Sequence, residues 1–171
     1  MPKIEKNLAS VDHNRSEFAL TNFQKKLIVV TGGRIGQRVT KTALAYTLAT
    51  NTYSELVPMN KAREDHSSTA IGNSVWVFGG VNGSGPLNSI ERLKICRENL
   101  TTTARKWEMI QPHKEFAARA NSAVCNISRH KMLILGGNVP KGYLSDIWVM
   151  DAKRKTMKKI ANAPFAFHCL G

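Results

Sequence analysis

The sequence predicts an all-β chain made of about three copies of a four-stranded unit. Three observations predict it. A double glycine occurs at Gly32-Gly33, Gly79-Gly80 and Gly136-Gly137, each time directly after a short apolar run. A large apolar residue stands thirteen positions past each second glycine, at Tyr46, Leu93 and Met150. An arginine precedes each second glycine by 18, 17 and 18 residues, at Arg15, Arg63 and Arg119. Repeats on a scale of tens of residues mean stacked or radially arranged units.

Each element of the unit has its own warrant. In the second unit the segments 68–71, 75–78, 89–94 and 107–110 read as four short strands separated by turn residues. The run 75–78 is apolar without a break, as expected of a strand covered on both faces. In the third unit Ile147, Trp148, Val149 and Met150 form a similar run. The double glycine ends the second strand, where glycine allows positive φ and close approach of another chain segment. The third and fourth strands form an outer hairpin. Its fourth-strand position carries Tyr53 in unit one, Trp107 in unit two and Met157 in unit three. The step from Leu93 to Trp107 is seven residues longer than its counterparts, which places an insertion at about 96–102. No segment keeps a helical period.

Arginine, apolar strand, Gly-Gly, a strand ending near an acid and then an aromatic: this order resembles the Kelch repeat. Unit three carries it in Leu133-Ile134-Leu135-Gly136-Gly137 and Ser145-Asp146-Ile147-Trp148-Val149-Met150-Asp151. Unit two carries it in Arg63-Glu64-Asp65-His66-Ser67, the run into Gly79-Gly80, and Trp107. Unit one carries Thr50-Asn51-Thr52-Tyr53, with Tyr53 for the usual tryptophan. Met157 and Leu93 depart from the aromatic pattern. The resemblance covers about 15–164 and implies a Kelch-type β-propeller. Its blades fall at about 15–62, 63–118 and 119–164, after a polar tail or closing segment at 1–14.

Such rings close with about 4–8 blades, so three blades imply a partial or self-completing ring. The expectation is a fragment, with a homodimer that closes the ring as the alternative. An open arc leaves two apolar flanks uncovered. The residues 164–171 read as the start of a further inner strand, with Phe165 in the arginine slot and His168 matching His66.

What the resemblance implies about function is a non-catalytic protein-interaction scaffold. The arginine positions lie towards the channel mouth of Kelch propellers, on a face that often grips acidic peptide segments. The guanidinium fork suits carboxylates. The expected protein-binding set is therefore Arg15, Arg63 and Arg119, with Arg34, Asn82 and Asn138 from the loops 34–40, 81–88 and 138–143. The alternative for the arginines is bracing a neighbouring blade through backbone carbonyls. The competing functional class is a Kelch-like enzyme such as a sugar-acid epimerase, which would need a convergent acid–base pair.

Charge points to an acidic partner as well. Lys+Arg number 25 against 12 Asp+Glu, a formal net charge of +13. The densest stretch, Lys153-Arg154-Lys155 with Lys158-Lys159, reads as a solvated outer hairpin whose lysines discourage edge pairing. A nuclear-localisation or polyanion patch is the other reading. No aromatics interleave with these lysines, so nucleic acid is not an expected partner. No cofactor is expected. Gly32-Gly33-Arg34-Ile35-Gly36 looks like a nucleotide-binding turn, but the polar residues 37–42 make no amphipathic helix. His13, His66, His113, His130 and His168 lack metal-ligand spacing, and Cys96, Cys125 and Cys169 form no CxxC. The scattered cysteines suit a reducing cytoplasm, or a nucleus, and no apolar run is long enough for a membrane helix.

Overall fold

The computed structural model describes residues 14–96 and 105–166. Among these residues there is no helix; three four-stranded antiparallel sheets follow one another along the chain. Blade 1 consists of Ala19–Phe23, Leu27–Thr31, Ala43–Thr47 and Thr52–Leu56. Blade 2 consists of Ser67–Ile71, Ser74–Phe78, Ile90–Lys94 and Glu108–Ile110. Blade 3 consists of Ala123–Asn126, Lys131–Leu135, Asp146–Asp151 and Thr156–Asn162. Each strand pairs with its sequence neighbour, so every blade is a meander. The segments 34–40, 81–88 and 138–143 are not bare loops. Each contains a two-residue ribbon, such as Val81–Asn82 against Gly85–Pro86. The insertion at 96–102 falls almost wholly outside the described residues, as do residues 1–13 and His168.

Burial explains how the blades stack. Blade 1 places Phe23, Leu27, Val29, Ala43 and Ala45 against Val75, Val77, Leu93 and Trp107 of blade 2. The other face of blade 2, with Trp76, Phe78 and Ile90, packs on Phe116, Met132, Ile134, Trp148 and Met150 of blade 3. The middle strand Ser74–Phe78 is thus buried at all five positions. Its equivalents alternate between buried and half-buried, apart from the exposed Lys131 at the start of the blade 3 strand. Burying a strand on both faces requires apolar residues at every position, which is why 75–78 is unbroken. Blades 1 and 3 are just as apolar along these strands, yet Leu20 on one flank and Ile160 on the other are more than half exposed. Among the described residues the three sheets form an open arc and close no ring.

The first strands of adjacent blades lie side by side along the axis. They are joined by small polar groups. Thr21 Oγ1 and Ser68 Oγ are 2.5 Å apart, Ser67 Oγ donates to the Ser122 carbonyl, and Asn126 Nδ2 donates to the Ala70 carbonyl at 2.7 Å.

Candidate functional site: the channel mouth

The double glycines and the arginines form one device. Gly33 N–H donates to the Arg63 carbonyl at 2.8 Å, and Gly80 N–H donates to the Arg119 carbonyl at 2.8 Å. A glycine is required at the preceding position. Gly32 and Gly79 have φ of 57° and 62°, and a Cβ on either would lie 2.4 Å from the same arginine carbonyl. Each arginine therefore holds the preceding blade with its backbone. Its side chain turns forward into its own blade. Arg63 Nη1 reaches the Gly79 carbonyl at 2.5 Å, and Arg119 Nη1 reaches the Gly136 carbonyl at 2.9 Å. Arg15 repeats the forward half, donating to the Gly32 carbonyl at 2.7 Å.

Two carboxylates, Glu91 and the Asp146 of the third unit's motif, complete this clasp. Arg63 Nη2 pairs with Glu91 at 2.6 Å, and Glu91 also accepts from Asn60 N, Asn60 Nδ2 and Lys61 N. Arg119 grips Asp146 through both terminal nitrogens, at 2.6 and 2.7 Å, and Trp148 Nε1 donates to the same carboxylate. Arg63, Glu91 and Arg119 are fully buried. Burial holds the Arg63 guanidinium below its ordinary value, partly offset by Glu91. Burial pushes Asp146 up, but hydrogen bonds from Arg119 and Trp148 outweigh it and leave the carboxyl below the usual range.

These facts revise one expectation. Arg63 and Arg119 do not offer forks to a partner, because their terminal nitrogens are bonded inside the arc and no side-chain surface reaches solvent. The geometry is that of the alternative, bracing between blades. Arg34, at the mouth, is half-buried, and its Nε and Nη2 chelate Glu64 at 2.7 and 2.6 Å. Asn82 donates to the Ala62 carbonyl at 3.3 Å, and Asn138 lies 3.4 Å from Asn121 Nδ2.

The structural repeat residues occupy equivalent places. Tyr46 and Tyr53 face each other across the outer hairpin of blade 1 with ring centroids 4.8 Å apart. Met150 and Met157 are the same cross-strand pair in blade 3. Trp107 donates from Nε1 to the Val57 carbonyl at 2.7 Å and so ties the outer hairpin of blade 2 to the segment leaving blade 1. Trp148 stacks edge-on with Phe116, which also lies under the Arg119 guanidinium.

The mouth itself is built from residues missed in the sequence. Glu17, Asp65 and Asn121 follow the three arginines by two positions and have φ of 55°, 53° and 50°. Their backbones form a ladder across the blades: Asp65 N–H donates to the Glu17 carbonyl and Asn121 N–H to the Asp65 carbonyl. Asn and Asp tolerate the left-handed region better than most residues, and that was the available signal. Below the ladder opens a cleft of about 690 Å³ along the axis, lined by Glu17, Phe18, Asp65, Ser67, Asn121 and Val124. Burial and the neighbouring Glu64 raise both Asp65 and Glu17 above the ordinary carboxylate range. His66 lies beneath, its Nε2 2.9 Å from Thr31 Oγ1 of blade 1. Burial, with Arg63 nearby, lowers it to about 3, so it is neutral at physiological pH. Residues 37–42 form part of a ribbon rather than a helix. Among the described residues no group of three or more His, Cys, Asp or Glu is placed to hold a metal ion.

Meanders joined by an arginine–diglycine clasp around an axial cleft define β-propeller blades of the Kelch class. The chain belongs to the Kelch-repeat family: the family model described as KLHDC2/KLHL20/DRC7 Kelch-repeats domain matches residues 9–166. It is 27% identical to Kelch-like protein 35 of Mus musculus over 159 residues, covering 92% of this chain and 25% of that protein. It is 28% identical to Kelch-like protein 7 of Mus musculus over 132 residues, covering 77% of this chain and 20% of that one. A shorter stretch of 60 residues is 35% identical to Kelch-like protein 7 of Gallus gallus, covering 35% of this chain and 10% of that one. The chain thus spans a quarter or less of these relatives' length.

Proposed function

We propose that the chain is a non-catalytic protein-interaction module of the cytoplasm that holds a partner segment in the axial cleft at the channel mouth. The observation that carries this reading is the convergence of equivalent segments from all three blades on one cleft of about 690 Å³. Its walls mix apolar surface from Phe18, Leu20 and Val124 with acceptors and hydroxyls from Asp65, Ser67 and Asn121. That mixture suits a peptide, whose backbone needs hydrogen bonds and whose side chains need apolar contact. The cleft edge carries Glu17, Glu64 and Asp65, and the Arg34 guanidinium there is already paired with Glu64 and Glu17, so a neutral or basic segment fits this edge better than an acidic one.

Peptides selected from a displayed random library against the immobilised chain test the reading. Phe18→Asp and Glu17→Lys alter exposed side chains of the cleft and should each cut binding of the selected peptides at least about tenfold. The melting temperature should stay unchanged. Equal binding by both variants and the parent chain would overturn it.

A further inference from the structure

The opposite end of the arc carries a different chemistry. Of the described hairpin turns there, 24–26, 127–130 and 152–155 carry Lys25, Lys26, Arg129, Lys153, Arg154 and Lys155, the turns 48–51 and 72–73 are uncharged, and none of the five contains Asp or Glu. Between blades 2 and 3 this end opens into a cleft of about 280 Å³ lined by Trp76, Arg92, Arg129, His130 and Lys153. Two hydrogen-bond donors of this cleft's lining residues have no acceptor among the described residues. They are the indole Nε1–H of Trp76, a side chain 1% exposed, and the Nε–H of Arg92. A buried donor left without an acceptor is costly, so an acceptor brought into the cleft gains what the protein alone forgoes. Arg92 lies over the Trp76 ring at 5.4 Å, and its terminal nitrogen pairs with Glu108. Glu108 is shared with Lys155, and Asp151 accepts from the backbone of Lys153 and Arg154. Arg129 and the Lys153 ammonium form no ion pair among the described residues.

We propose that this turn-end cleft is an anion site that receives a carboxylate side chain from an acidic protein segment. The two carboxylate oxygens accept from Trp76 Nε1 and Arg92 Nε, and Arg129 and Lys153 supply the compensating charge. The flanking basic turns attract the rest of the segment. A volume of about 280 Å³ admits one side chain rather than a folded element. The Trp76 ring is buried and capped by Arg92, so it offers no face for stacking bases, on which single-stranded nucleic-acid binding depends. The site is separate from the mouth and does not rest on the reading given for it.

The test uses a fluorescein-labelled octaglutamate peptide, followed by polarisation and by the indole N–H signals in proton–nitrogen NMR. Trp76→Phe assigns the Trp76 signal. Binding should shift that signal downfield, which diffuse charge attraction alone does not do. Arg129→Glu with Lys153→Glu, both exposed turn positions, should weaken binding about tenfold or more. Arg38→Glu at the mouth should leave it within about twofold. Unchanged binding by the turn-end variant, or a stationary Trp76 signal at saturation, would overturn the proposal. So would tighter binding of octathymidylate than of octaglutamate through the same residues.

Discussion

Arg119 shows how little a residue's type reveals of its task. In the sequence it is one of 25 basic residues in a chain of net charge +13, and a fork aimed at a partner's carboxylate is a fair expectation. The structure supplies the carboxylate from within, as Asp146. The partner acids could not be read from spacing, because Asp146 lies nine residues past its second glycine and Glu91 eleven past its own. Two blades reach the same neutralisation by different positions, so no common offset announces it. Removing one member of a buried pair leaves the other charge uncompensated. Arg119→Ala should therefore cost about 3–5 kcal/mol in urea unfolding. Arg38→Ala, at an exposed position, should stay within about 0.5 kcal/mol. A loss under about 1 kcal/mol for Arg119→Ala would contradict its role as a brace.

The strands were the most legible elements, since their signals are local. Apolar runs and turn residues located all four strands of blade 2 to within a residue or two. The double glycines marked a backbone conformation that few other residues adopt. The ribbons at the mouth and the left-handed ladder of Glu17, Asp65 and Asn121 were not legible. Three different side chains occupy one conformation there, and the bonds that hold it run between blades. Two glycines separate these effects experimentally. Gly72 and Gly79 have nearly equal φ, 64° and 62°, but a Cβ on Gly72 meets nothing within 4 Å, whereas on Gly79 it meets the Arg119 carbonyl at 2.4 Å. Gly72→Ala should cost only the left-handed strain, about 1–2 kcal/mol. Gly79→Ala should cost clearly more, because a strand end of one blade and the backbone of the next must separate. Equal midpoints in urea for the two variants would count against the clasp.

At the scale of the whole arc, polar bonds between blades make stability depend on pH. His66 joins blade 2 to Thr31 of blade 1 from a buried position, with its pKa near 3 against an ordinary 6.5. The unfolded chain binds this proton more readily than the folded one. The stability it contributes is thus complete above pH 6.5 and declines as pH falls towards 3, by up to about 1.4 kcal/mol per unit. Glu17 and Asp65 are raised in the fold, and their titration works in the opposite sense. The difference between the parent chain and His66→Gln isolates the histidine. That difference should shrink steadily from pH 6.5 to 4.5, and a constant one would show that His66 is not held neutral.

The arginine clasp also settles how the blades cooperate. Arg63 touches only blades 1 and 2, and Arg119 only blades 2 and 3. Coupling is then nearest-neighbour, as in a one-dimensional chain of interacting units. Blade 2, coupled on both sides, is the centre of that chain, and blades 1 and 3 are its fraying ends. Opening should start at either flank and travel inward one blade at a time, with the amides of Ser74–Phe78 the last to exchange with solvent.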